Sequence, residues 1–193
     1  TIDADLVREI GGWTTEECTD TDLNKAIAKA KVLVIRDITA YTDDDELEKI
    51  TSTTYKVDHR YIADTDWDGD IDNSEIKVYY LDDNGVRQYS STSLTYSNGV
   101  ITFASAMEDK TWYAEYRYYK YREPSTEELE YLVAYRACVL EAIRLYGRTP
   151  RYVRFGKFTY RDENPAERFE RQYNRLLNRV IGGITLAGDI SVG

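Results

Sequence analysis

The sequence predicts an α+β protein: a helical bundle of four main helices interrupted by an inserted antiparallel β domain. Three observations predict it. Apolar residues recur at helical spacing near both ends of the chain, the period switches to two between about Ile50 and Tyr121, and two Asn-Gly pairs punctuate that middle stretch. Residues 1–42 and 122–193 are thus assigned to a helical domain with a C-terminal docking tail. Residues 43–121 are assigned to a tyrosine-rich β domain.

Each element follows from local pattern. Leu6, Val7 and Ile10 form a short apolar face that Gly11-Gly12 ends. Asp20 or Thr21 caps a second helix, in which Leu23, Ile27, Ala30, Val34 and Ile38 recur at steps of three and four. The acidic run Asp43-Asp44-Asp45-Glu46 breaks that pattern. Strands at Tyr55 to Ile62, Ile76 to Leu81, Leu94 to Tyr96 and Thr111 to Tyr121 then predict a small meander with turns at Asn84-Gly85 and Asn98-Gly99. Helix returns at Pro124, with Ser125 and Glu128 as a capping box and Leu129, Leu132, Val133, Leu140 and Ile143 on one face. An irregular basic stretch follows. Asn164-Pro165 opens the last helix, with Phe169, Tyr173, Leu176, Leu177 and Val180 on one side, and Gly182-Gly183 stops it.

Composition limits the function classes. The chain has 193 residues, 42% hydrophobic and 31% charged, which suits a folded soluble protein. No run approaches the roughly 18 apolar residues of a membrane span, and Thr1-Ile2-Asp3-Ala4-Asp5 lacks secretory-signal character. A protein used in the cytoplasm or delivered inside a particle is expected. Cys18 and Cys138 fit no disulfide or metal spacing and read as buried small hydrophobes. The net charge of -10 opposes general nucleic-acid affinity, but it is unevenly spread. Thr1 to Tyr121 holds 25 acidic residues against 13 basic, whereas Arg144, Arg148, Arg151, Arg154, Lys157 and Arg161 follow one another without an intervening acid. That basic stretch faces nucleic acid, faces a partner's acidic surface, or balances the acidic half of its own chain.

One motif carries specific chemistry. Asp64-Thr65-Asp66-Trp67-Asp68-Gly69-Asp70-Ile71-Asp72-Asn73-Ser74-Glu75 matches the twelve-residue calcium loop of EF-hands and dockerins. Calcium takes six to eight oxygens. Asp64, Asp66 and Asp68 would supply carboxylates, Asp70 its carbonyl, Asp72 a direct or water-mediated contact, and Glu75 a bidentate carboxylate. The flanks read as strands, so a single structural Ca2+ clip is expected in place of a regulatory switch. The alternative is a solvated acidic connection. Trp112-Tyr113-Ala114-Glu115-Tyr116-Arg117-Tyr118-Tyr119-Lys120-Tyr121 suits a protein interface, or simply the liking of tyrosine for half-buried sheets. With His59 as the one histidine and no Walker, Rossmann, G-x-S-x-G or H-E-x-x-H pattern, no enzyme is expected.

Two regions together resemble head–tail connector (adaptor, or head-completion) proteins of tailed bacteriophages and tailed archaeal viruses. Asp3 to Ile38 is similar to their opening: a short helix, a glycine break, an acidic cap, then a helix of the form Leu23-Asn24-Lys25-Ala26-Ile27-Ala28-Lys29-Ala30. In Glu127 to Ile181, an alanine- and tyrosine-bearing helix, Arg154-Phe155-Gly156-Lys157-Phe158 and the helix Phe169 to Ile181 follow the same order. The resemblance covers about half the chain and leaves out the β insertion. It implies a homo-oligomeric ring, typically of twelve copies, between the portal protein and a tail-side neck protein, extending the channel for packaged double-stranded DNA. The implied location is the virion's head–tail junction, after assembly in the host cytoplasm. Arg144, Arg148, Arg151, Arg154, Lys157 and Arg161 would then meet the DNA channel or a partner. The apolar tail residues Ile184, Leu186, Ile190 and Val192 would dock on the portal. A rival reading of the calcium loop and the aromatics is a calcium-stabilised extracellular module, adhesin-like or carbohydrate-binding.

Overall fold

The computed structural model describes residues 2–147 and 164–182, and the backbone of two strands between them. The protein is α+β: the described residues form four helices, two four-stranded antiparallel sheets and one two-stranded hairpin. It divides into two compact units, Thr1–Asp37 with Pro124–Gly193, and Ile38–Glu123.

In the first unit the helix ends are set by side chains that satisfy otherwise orphaned backbone groups. Helix α1 (Ala4–Gly11) is capped by Asp3, whose Oδ1 accepts from the Leu6 N–H at 2.9 Å, and closes at Gly12. Helix α2 (Asp20–Ile38) is capped by Thr19, whose Oγ1 accepts from the Asp22 N–H at 3.2 Å while its hydroxyl donates to Asp22 Oδ2 at 2.9 Å. The cap is thus not the expected Asp20 or Thr21. Those residues lie inside the first turn, where Asp20 and Asp22 complement the positive end of the helix dipole.

Helix α3 (Thr126–Tyr146) opens with the expected capping box of Ser125 and Glu128, at 3.2 and 3.0 Å. Strands β9 (Arg151–Phe155) and β10 (Phe158–Asp162) form an antiparallel hairpin where an irregular stretch was expected. Helix α4 (Pro165–Gly182) is capped by Asn164, which accepts from the Ala166 N–H at 2.9 Å and donates to the Gly147 carbonyl at 2.9 Å. One buried asparagine therefore ties the end of α3 to the start of α4. Helix α3 packs against both α1 and α4. Leu23, Val34, Leu132, Val133, Phe169 and Tyr173 are buried in this unit. The Tyr173 hydroxyl donates to Asp37 at 2.7 Å.

The second unit replaces the expected meander with two sheets. One runs β1 (Thr39–Glu46), β8 (Tyr113–Tyr119), β4 (Lys77–Leu81), β5 (Arg87–Tyr89). The other runs β2 (Glu48–Lys49), β3 (Thr54–Lys56), β7 (Val100–Phe103), β6 (Leu94–Ser97). The acidic run is not a break but the second half of β1. It is tolerated because β1 is an edge strand whose register shifts between Thr42 and Asp45, leaving Asp43, Asp44 and Glu46 exposed. Asn98 and Gly99 (φ 53° and 88°) make the two-residue β6–β7 turn, where both positions need positive φ. Asn84-Gly85 lies in a longer β4–β5 loop, organised by Asp82, whose Oδ1 accepts from the N–H groups of Asn84 and Val86, each at 2.9 Å. Tyr55, Ile62, Ile76, Val78, Ile101, Phe103, Trp112 and Tyr116 form one core. Each fully buried large side chain here, Ile101 for example, contributes about 1.5–3 kcal/mol. Among the described residues, no helix is long and apolar enough to cross a membrane.

Candidate metal centre

The twelve-residue loop of Asp64 to Glu75 is held at both ends by the central strand β8. On its entry side Ile62 bridges to Tyr118, and the Ala63 N–H donates to the Arg117 carbonyl at 2.9 Å. On its exit side β4 pairs with β8, Val78 opposite Ala114. Ile62, Ala63 and Ile76 are buried, so the loop hangs from two anchored points of one core. Ile71 leans on that core from inside the loop.

Within the loop, backbone N–H groups converge on the aspartates. Asp64 accepts from Trp67 at 2.6 Å and from Gly69 at 2.9 Å. Asp66 accepts from Asp68 at 3.2 Å, and Asp68 from Asp70 at 2.9 Å. Positive φ at Trp67 (69°) and Gly69 (95°) curls the chain around these carboxylates. At Gly69 the conformation costs nothing in side-chain sterics, whereas a β-carbon would be strained there. The loop closes in a single helical turn, with the Ile76 N–H on the Asp72 carbonyl at 2.9 Å, which carries Glu75 inward to 6% exposure.

The resulting geometry is electron-rich. One carboxylate oxygen from each of Asp64, Asp66 and Asp68 lies within 4.8 Å of the others. That is the span of two oxygens on opposite sides of an ion with bonds of about 2.3–2.6 Å. Glu75 lies outside that group and is linked to it through Ser74. The Ser74 hydroxyl touches Asp66 Oδ2 at 3.2 Å, Asp72 Oδ1 at 2.9 Å and Glu75 Oε2 at 2.7 Å. A hydroxyl has one proton to donate, so it satisfies one of three carboxylates. Glu75 Oε1 accepts from the Thr65 hydroxyl at 3.2 Å. Burial holds the Asp64 carboxyl above its usual range; Asp66 and Asp68 add repulsion, and the Gly69 and Trp67 N–H groups oppose it. The Ser74 backbone and hydroxyl hold Asp72 below its usual range. Chemically the loop can take a hard cation on Asp64, Asp66 and Asp68, with Glu75 adjacent. Asp70 is exposed at the rim, and Asp72 accepts from the Ser74 N–H through Oδ1 at 2.7 Å.

The other predicted residues are placed differently. Arg144 is bound inside its own unit, with Nε donating to the buried Glu141 at 2.8 Å and a further nitrogen 3.7 Å from Asp22. Arg151, Arg154 and Arg161 lie on the β9–β10 hairpin, Arg154 opposite Thr159 and Arg161 opposite Tyr152. Their side chains, and Arg148, Lys157, Ile184, Leu186, Ile190 and Val192 altogether, lie outside the described residues. Tyr116 and Tyr119 of the predicted aromatic strand are buried. Among the described residues the exposed tyrosines include Tyr121, which ends that predicted run, and Tyr41 and Tyr89, on the two edge strands of the same sheet. Cys18 and Cys138 are free and buried, and burial pushes their thiols up to about 11 and about 12.

Sequence reading missed two features. Ser74 as a hub of carboxylates has no signal, because that motif position accepts any residue. Asp45 is 5% exposed, with its Oδ2 accepting from the Asp58 N–H at 3.1 Å and from the Tyr116 hydroxyl. Alternation alone would place Asp43 on the same face as Asp45, and only the register shift between Thr42 and Asp45 separates them, so no local signal singles out Asp45. No family model matches this chain, and no curated protein matches it.

Proposed function

We propose that the chain is a non-enzymatic structural subunit of a head–tail connector, a helical bundle interrupted by an inserted β domain that one calcium ion clips. The observation that carries the reading is the order of its helical segments. A short helix with a glycine end, a second helix with acids in its first turn, a capping-box helix and an amphipathic last helix succeed one another, in the order that resembles connector proteins. Packing of α3 against both α1 and α4 supports it, since the helical unit closes although Ile38–Glu123 intervenes. In this reading twelve copies form a ring between portal and tail-side neck protein, extend the DNA channel and sit at the head–tail junction of the virion. Calcium is bound by Asp64, Asp66, Asp68 and Glu75, with the Asp70 carbonyl and Asp72 completing the shell. Its role is structural, because the loop joins strand-paired segments and not two helices free to open.

The test mixes the purified chain with portal rings encoded beside it and images them by negative-stain electron microscopy. An extra symmetric layer on the portal's outer end is expected. A folded protein that never joins the portal overturns the reading. One observation favours the second reading, a carbohydrate-binding module. A shallow cleft beside the metal loop is lined by Asn73, Lys77, Tyr89, Ser90, Ser93 and Glu115, an aromatic among hydroxyls and charges. Binding on a glycan array, together with failure on the portal, would establish it.

A further inference from the structure

Helix α4 has a second, exposed face, opposite most of its buried side chains. Ala166, Phe169, Tyr173 and Val180 are its buried side. Arg168, Gln172, Arg175 and Arg179 stand at i, i+4, i+7 and i+11, within an arc of about 60° at 100° per residue. All four are exposed, and no acid lies among them. Arg171 flanks the row. The Arg168 guanidinium lies over the ring of buried Phe169, 4.9 Å from its centroid, at the border between the row and the packed side of the helix, where it lines a pocket with Trp13 and Glu17. Among the described residues, neither Arg175 nor Arg179 is joined to an acid by an ion pair.

We infer that this arginine row is a docking surface for the phosphate backbone of duplex DNA. Every cation of α4 is arginine, the side chain whose planar fork matches phosphate oxygens two at a time. The row is carried on a helix, so its three charges span about 16 Å, the axial rise of about five phosphates on one strand. A polyphosphate backbone offers an anion at every step of that length, so each arginine finds one whatever its spacing from the next. No aromatic lies on the row, since Phe169 and Tyr173 are buried, so it lacks the stacking platform that single strands need. The acidity of the whole chain does not oppose this. Fields between exposed charges decay over about 8 Å at physiological ionic strength, and the local balance governs. The contact is independent of base sequence, because nothing on this face reads base edges. Its biological setting, DNA in a channel, rests on the connector reading, whereas its chemistry does not.

The test measures binding of the full chain to a 20-base-pair duplex by fluorescence anisotropy between 50 and 200 mM salt, beside the triple variant Arg168→Gln, Arg175→Gln, Arg179→Gln. Wild-type affinity should fall about 40-fold more steeply across that range than the variant's, the counterion release of three phosphate contacts at a slope of about 0.9 each. The corresponding triple Arg→Lys variant, which keeps the charges, should keep the slope. Circular dichroism checks that the variants stay helical. If the triple Gln variant is misfolded, the single Arg175→Gln variant decides, with an expected loss of about 0.9 in slope. Equal slopes for wild type and Gln variants, no duplex binding, or equally tight binding of polyglutamate and polyphosphate-free competitors would overturn the inference. Portal joining in the absence of duplex binding would sink this inference alone and leave the connector reading standing.

Discussion

Asp45 shows how one residue is given two tasks by its surroundings. Its Oδ2 serves the Tyr116 hydroxyl and the Asp58 N–H, while Oδ1 is buried without a hydrogen-bond partner among the described residues. Burial raises its pKa, against the hydrogen bonds from Tyr116 and Asp58 that lower it. The folded protein therefore favours the protonated acid more than the unfolded chain does. This contribution to stability is full below the unfolded value of about 3.9 and is lost as pH rises through the raised folded value. Asp45→Asn, which keeps an acceptor and has no charge, should remove that part of the pH dependence in urea unfolding between pH 4 and 7. Asp45→Ala strands two donors and should cost about 1–3 kcal/mol at pH 7. Equal pH profiles for wild type and Asp45→Asn would show that the carboxyl titrates normally. Arg144 makes the converse point: a residue that reads as a free cation in sequence is held by the buried Glu141.

Helix ends and turns are the elements most legible in the sequence, because each answers a local demand. Ser125 and Glu128 lie three residues apart, and that spacing is all a capping box needs. Ser125→Ala should lower the stability of the helical unit by about 1 kcal/mol in a denaturant titration. A variant as stable as wild type would mean that α3 is held by its packing alone. Asn98-Gly99 was equally plain. The β9–β10 hairpin was less so, although Tyr152, Val153, Phe155, Phe158 and Tyr160 are strand formers, because the run of basic residues masked their alternation. The second half of β1 was hidden for a related reason. Aspartates are poor strand formers, and an edge strand accepts them only when a bulge turns them outward.

At the scale of the molecule, two units with separate cores should respond separately to ligand. If calcium binds at Asp64, Asp66, Asp68 and Glu75 as proposed, it should stabilise Ile38–Glu123 by mass action, by about 2.7 kcal/mol when free ion is 100 times its dissociation constant. Scanning calorimetry should then show one transition that moves up with millimolar calcium and back with chelator, beside one that stays. Glu75→Gln should abolish most of the shift. A melt indifferent to calcium and chelator would remove the ion from the reading, while leaving the helical unit's role untouched.

The sequence by itself determined much of what depends on neighbours a few positions apart: the four helices, the capping box of Ser125 and Glu128, the Asn98-Gly99 turn, the spacing of the candidate metal loop and the α+β class. Tertiary structure alone decided which strands pair, since β1 joins β8 across more than sixty residues and no local pattern encodes that choice. It also decided which acids are buried and which arginines are engaged. Asp43 and Asp45 are chemically identical in the sequence, and only the register against β8 puts one in water and the other beneath Tyr116. The physical reason is the reach of the forces. Capping and turn preferences act within a single turn of chain, whereas burial, and the charge state it imposes, exists only once distant segments exclude water together.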